Sequence, residues 1–179
     1  NFLRSSGILM PIFSLPSKGG IGTLGKEAYR FVDFLEKAKQ TWWQILPLNP
    51  TNYGDSPYQS FSSYAGNPYF IDPELLIVGG FLTKEEFESF DFGDESDSID
   101  YGKLYENRID LLKLAFARFN ADERYKAFLE ENDFWLPEYA LFMALKNAND
   151  DVAWENWDKS LRKRDPKALE KAKIQHANT

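Results

Sequence analysis

The sequence predicts an α/β fold, a strand–helix–strand opening followed by an all-helical block. Two apolar runs of strand length, Gly7-Ile8-Leu9-Met10-Pro11-Ile12-Phe13 and Trp42-Trp43-Gln44-Ile45-Leu46, frame the opening. Between them Ala28, Phe31, Val32, Leu35 and Ala38 recur at helical spacing and give one apolar stripe. From about residue 80 onward, helical stripes and caps recur without a convincing alternating strand pattern.

The order strand, helix, strand, with a helix long enough for a crossover, predicts a parallel βαβ unit. Continuous apolar strands suit a parallel sheet buried on both faces. A βαβ unit alone leaves an open sheet and a barrel equally available. The loop before the helix reads Gly20-Ile21-Gly22-Thr23-Leu24-Gly25. That spacing resembles a dinucleotide fingerprint, which also needs an acidic residue near the end of the second strand. The second strand ends Leu46-Pro47-Leu48-Asn49, with no acid, so a tight turn with Thr23 as the helix N-cap is the better account.

Further on, Thr83-Lys84-Glu85-Glu86 forms a capping box, with Leu82 and Phe87 placed as a hydrophobic staple. Residues 85–100 hold eight acids and no base, which suits a short helix and an exposed loop. Leu112, Ala115, Phe116 and Phe119 form a second stripe, and Pro137 suits a first helical turn leading to Leu141 and Leu145. Asp165-Pro166 repeats the cap-then-proline pattern before a last helix.

Composition limits the function classes. With 43% hydrophobic and 27% charged residues the chain is globular rather than disordered. The net charge is -7, and all of the acidic excess lies beyond residue 78, which argues against a nucleic-acid partner. The local cluster Lys159, Arg162, Lys163, Arg164 reads as a solvated helix face beside Asp158 and Asp165. There is no Cys, hence no disulfide, thiolate zinc site or thiol nucleophile. His176, the one histidine, has no visible ligand partners, so neither a metal nor an organic cofactor is implied. No membrane span or signal peptide is visible, which fits a cytosolic protein. The chain starts without Met, which suggests a lost N-terminus.

The most informative stretch is Gly54-Asp55-Ser56-Pro57-Tyr58-Gln59-Ser60-Phe61-Ser62-Ser63-Tyr64-Ala65-Gly66-Asn67-Pro68-Tyr69. Hydroxyls, rings, a carboxylate and amides on a Gly- and Pro-set backbone can hydrogen-bond and stack on a sugar. The same residues also suit an ordinary turn-rich connection.

Here the sequence resembles a known family. Ile45-Leu46-Pro47-Leu48-Asn49-Pro50-Thr51 running into Gly54-Asp55-Ser56-Pro57-Tyr58, and then Ala65-Gly66-Asn67-Pro68-Tyr69, look like the amylomaltases, or 4-alpha-glucanotransferases. Gly7-Ile8-Leu9-Met10, Ser14-Leu15-Pro16 and Gly20-Ile21-Gly22-Thr23-Leu24-Gly25 are similar to that family's opening. The resemblance runs almost unbroken from Arg4 to Pro73 and is looser beyond, as in Leu161-Arg162-Lys163-Arg164-Asp165-Pro166. Many members carry His where this chain has Pro11, so that position is given no role.

The resemblance implies the opening of a (β/α)8 barrel over residues 1–78 and a helical insertion over 79–179, with the chain ending before the remaining barrel. It also implies retaining transfer of α-1,4-glucan segments between maltooligosaccharides. That chemistry needs two carboxyl groups about 5–5.5 Å apart. In the family they come from later strands, so no catalytic residue is assigned here. Asp33 and Glu36 belong to the crossover helix, and Asp72 before Pro73 reads as a helix-leading turn. By family position, Asp55, Ser56 and Tyr58 line the substrate cleft, and Tyr53 sits at an outer glucan contact. Each also has a structural alternative, Ser56-Pro57 as a turn and Tyr58 as a packed ring. An amylase-like hydrolase fragment, a non-catalytic glucan-binding module and a plain scaffold stay open beside the transferase.

Overall fold

A computed structural model describes residues 4–52, 54–93 and 98–176. The chain forms two compact units, Asn1–Asn120 and Ala121–Thr179. Residues 79–120 thus pack with the first 78. The expected division at residue 78 concerns barrel membership, whereas this one concerns packing.

In the first unit, β1 (Gly7–Leu9) and β2 (Trp42–Gln44) pair in parallel, with Gly7 opposite Trp42 and Leu9 opposite Gln44. The crossover is α1 (Lys26–Lys37), so the βαβ unit is present. Gly7 is required by close approach, since a Cβ there would lie 2.6 Å from the Trp42 carbonyl oxygen. The strands are shorter than their apolar runs. The Met10 amide still reaches the Gln44 carbonyl at 3.0 Å, but Pro11 has no N–H to extend the ladder and a 3-10 turn follows at Ile12–Ser14. Within this chain by itself the pair is not buried on both faces. Ile8 and Trp43 are half-buried while Leu9 and Trp42 are exposed, and no third strand joins the pair among the described residues.

Trp43 closes the strand-to-helix contact. Its ring meets Phe31 edge-on at 4.9 Å, and its indole N–H donates to the Met10 carbonyl at 2.8 Å. Ala28 and Leu35 of the expected α1 stripe are buried, whereas Val32 and Ala38 are exposed. Asp33 and Glu36 face solvent. Thr23 is not the cap of α1. Gly25 holds that position, and the buried Thr23 hydroxyl donates instead to Asp72 Oδ2. Its burial explains the difference, because a hydroxyl removed from water needs a strong acceptor and the carboxylate supplies one.

Asp72 is the N-cap of α2 (Pro73–Val78), accepting from the Leu75 amide at 2.9 Å. The capping box at α3 (Lys84–Glu88) is complete, and Leu82 and Phe87 are both buried. Arg118 grips the Glu86 carboxylate with both terminal nitrogens, at 2.6 and 2.9 Å. The Glu86 carboxyl is held below its ordinary value of 4.5, first by Arg118 and next by the Thr83 amide. Since the folded value is the lower one, this contribution is present above the ordinary value and lost as pH falls through the lowered one. Glu86→Gln is therefore expected to flatten the decline of the unfolding midpoint between about pH 5 and pH 3. Circular dichroism melts read it, and a decline as steep as the parent's refutes it.

Helix α4 (Tyr101–Phe116) buries Leu104, Arg108, Leu111 and Ala115. Of the stripe read from sequence, Ala115 is buried, Leu112 and Phe119 are half-buried, and Phe116 is exposed. Arg108 masks the observed face. A guanidinium occupies a core position, so the true face does not read as apolar.

The second unit holds α5 (Glu123–Glu131), α6 (Leu136–Ala148), α7 (Lys159–Arg162) and α8 (Pro166–Gln175). Its core is Leu141, Leu145, Trp157 and Ala172. Asp165 caps α8 through the amides of Lys167 and Ala168, both at 3.0 Å, with Pro166 in the first turn as expected. Lys159, Arg162, Lys163 and Arg164 are exposed, while His176 is half-buried at the end of α8. No helix among the described residues is long and apolar enough to cross a membrane.

Candidate functional site

The loop leaving β2 is closed on itself at its base. The Asn67 amide donates to the Leu48 carbonyl at 2.7 Å, and Asn49 Nδ2 donates to the Ala65 carbonyl at 3.1 Å. Asn67 is buried, and its side chain accepts from the Tyr69 amide at 3.0 Å to start the next turn. Two asparagines thus hold the ends together, and the residues between project as a tip.

Within the tip, the Asn52 amide donates to the Gln59 carbonyl at 2.9 Å and the Asp55 amide to the Asn52 carbonyl at 3.1 Å. Gly54 and Asp55 both have positive φ, 84° and 55°. Left-handed backbone is uncommon for a residue with a side chain, and such outliers gather at functional sites. Ser56 is half-buried, and its hydroxyl oxygen faces the Tyr58 amide at 3.4 Å. Tyr58 is 74% exposed within this chain, so no other residue of the segment packs its ring away from water. Tyr53 lies outside the described residues.

The Asp55 carboxylate is not alone. The Tyr105 hydroxyl, from the second turn of α4, donates to Asp55 Oδ1. The Tyr105 ring lies 5.9 Å from Tyr69 and 5.9 Å from Tyr101. Burial pushes the Asp55 carboxyl above its ordinary value of 3.8. The Tyr101 phenol is pushed up too, first by burial and then by the Asp55 charge. The result is a carboxylate beside a cluster of tyrosines, with the Tyr58 ring exposed within this segment. Such a surface can accept and donate hydrogen bonds to sugar hydroxyls and stack on sugar faces.

Tyr101 and Tyr105 escaped the sequence reading. Their spacing of four on a helix starting after Asp100 was visible, but nothing local tied them to a loop fifty residues earlier. Arg108 escaped for the same reason. Its Nη2 donates to the carbonyls of Tyr69 at 3.0 Å and Ile71 at 2.5 Å. The Gly-rich loop borders a different cleft, of about 370 Å³, whose lining includes Ser17, Lys18, Thr23, Lys26, Asp72 and Glu74. Asp55, Ser56 and Tyr58 do not line it, and its mixed charges give a phosphate no preference.

The family model described as 4-alpha-glucanotransferase matches residues 10–179. A 4-alpha-glucanotransferase of Clostridium butyricum is 48% identical over 92% of this chain and 34% of its own length. One from Thermus thermophilus is 46% identical over 95% of this chain and 34% of its own. Among solved structures, the amylomaltase from Streptococcus agalactiae in complex with acarbose superposes with a TM-score of 0.92 at 43% identity, over 98% of this chain and 36% of that one. The chain therefore spans about a third of the length of the relatives it matches, and over that span it belongs to the 4-alpha-glucanotransferase family.

Proposed function

We propose that this chain is the opening part of an enzyme that transfers α-1,4-glucan segments to glucan or glucose acceptors with retention. The observation that carries this reading is the self-closed loop after β2, which sets Asp55, Ser56 and an exposed Tyr58 together on a family-matched stretch. Asp55 and Ser56 hydrogen-bond sugar hydroxyls, and Tyr58 stacks or donates from its phenol. Tyr53 makes an outer glucan contact. Residues 1–78 open a (β/α)8 barrel, and 79–179 form its helical insertion. Support for the barrel comes from the parallel βαβ unit and from the end of β2, where barrel enzymes place substrate loops. The enzyme works in the cytoplasm on maltooligosaccharides, without added cofactor, nucleic acid or membrane.

The test is to incubate the enzyme carrying this segment with maltotriose and follow product lengths. Glucose together with chains longer than maltotriose is expected. Glucose and maltose alone would make it a hydrolase, and acarbose binding without turnover would make it a glucan-binding protein. The 179 residues by themselves are expected to leave maltotriose unchanged, because the site holds one carboxylate where retaining transfer needs a pair. Longer oligosaccharides formed by this piece alone would refute that.

A further inference from the structure

Helix α4 is joined to both ends of the sugar loop. Tyr105 donates to Asp55 near the start of the loop, and Arg108, three residues on, holds the Tyr69 and Ile71 carbonyls at its finish. Arg108 is fully buried and leans over the Phe92 ring at 5.7 Å. Leu104 and Leu111 on the same face are fully buried as well. The helix is thus an anchored support, and the Tyr105 phenol stands on it between two other tyrosine rings.

We propose that Tyr105 is a positioning residue that orients the Asp55 carboxylate for glucan binding. The inference rests on the reading of Asp55 as a substrate contact. With its left-handed backbone, Asp55 has a fixed direction of departure but keeps side-chain rotation. The Tyr105 hydrogen bond removes that rotation. It occupies Oδ1 and leaves Oδ2 to accept from a sugar hydroxyl. A hydrogen bond to a charged acceptor is the stronger kind. An acceptor already oriented does not have to be ordered by the incoming sugar, which lowers the cost of binding.

The test is a double-mutant cycle in the enzyme that carries this segment, with maltotriose as substrate. Tyr105→Phe keeps the ring against Tyr69 and Tyr101 and removes only the hydroxyl. It is expected to lower kcat/KM about tenfold while the melting point stays within roughly two degrees. In an Asp55→Ala background the same change is expected to shift kcat/KM by less than about twofold, since nothing is left to orient. Independent, multiplying effects of the two substitutions would overturn the proposal. So would a melting point lowered by more than about five degrees in Tyr105→Phe, because the hydroxyl would then be holding the fold. If Asp55→Ala alone impairs turnover and Tyr105→Phe does not, the positioning role is wrong and the reading of Asp55 stands. If Asp55→Ala leaves turnover unchanged, the reading of Asp55 and the inference fall together.

Discussion

Replacing Tyr58 with Ala in the enzyme that carries this segment is expected to lower kcat/KM for maltotriose about tenfold or more. The melting point should move by only about three degrees. Within this segment the ring is 74% exposed, so its truncation removes little packing there. If the rest of the enzyme instead packed the ring, truncation would cost about 3–5 kcal/mol of stability. What the ring can lose is contact with a sugar, together with a hydrogen bond worth about 0.5–1.5 kcal/mol or more in a desolvated site. A variant that melts far earlier yet turns over normally at low temperature would remove Tyr58 from the site.

Arg108→Ala is expected to act in the opposite way, chiefly on stability. The side chain is fully buried, and its guanidinium, pulled down to about 10 by burial, is still protonated at neutral pH. Hydrogen bonds from a charged donor contribute about 1.5–3 kcal/mol each, and Arg108 makes two to backbone carbonyls. Truncation also leaves a cavity. Against this stands the burial of a charge whose Nε and Nη1 have no hydrogen-bond partner among the described residues. A net loss of about 3 kcal/mol, or a fall of about ten degrees in melting point, is the expected balance. Arg108→Met should cost less, since it fills much of the volume and removes the unpartnered nitrogens along with the charge. Melts of the two variants decide this. Equal losses for Ala and Met would show that the carbonyl contacts account for the whole effect, and no loss in either would show that the guanidinium holds nothing.

What was legible in the sequence was local or periodic. Thr83 and Glu86 cap α3 with groups three residues apart, and Asp165 with Pro166 starts α8 in the same way. The strand–helix–strand opening followed from apolar runs and one stripe. Asp55, Ser56 and Tyr58 were named through family resemblance, and the chemistry of the loop alone did not separate a sugar surface from a turn. What was not legible depended on distant partners. Thr23 reads as a cap until Asp72, forty-nine residues on, takes its hydroxyl. The buried face of α4 is masked by Arg108, whose charge is satisfied by carbonyls of a different segment. Tyr105 looks like any surface tyrosine until the loop folds against it.

The contact between Asp55 and Tyr105 joins residues on either side of position 78, and both lie within the compact unit that runs to Asn120. This bears on how such chains can be recombined. A chimera of two relatives spliced at residue 78 would take its sugar loop from one parent and the helix that braces it from the other. A splice after Asn120 would inherit both from the same parent, and loop and brace would then travel together as one heritable module.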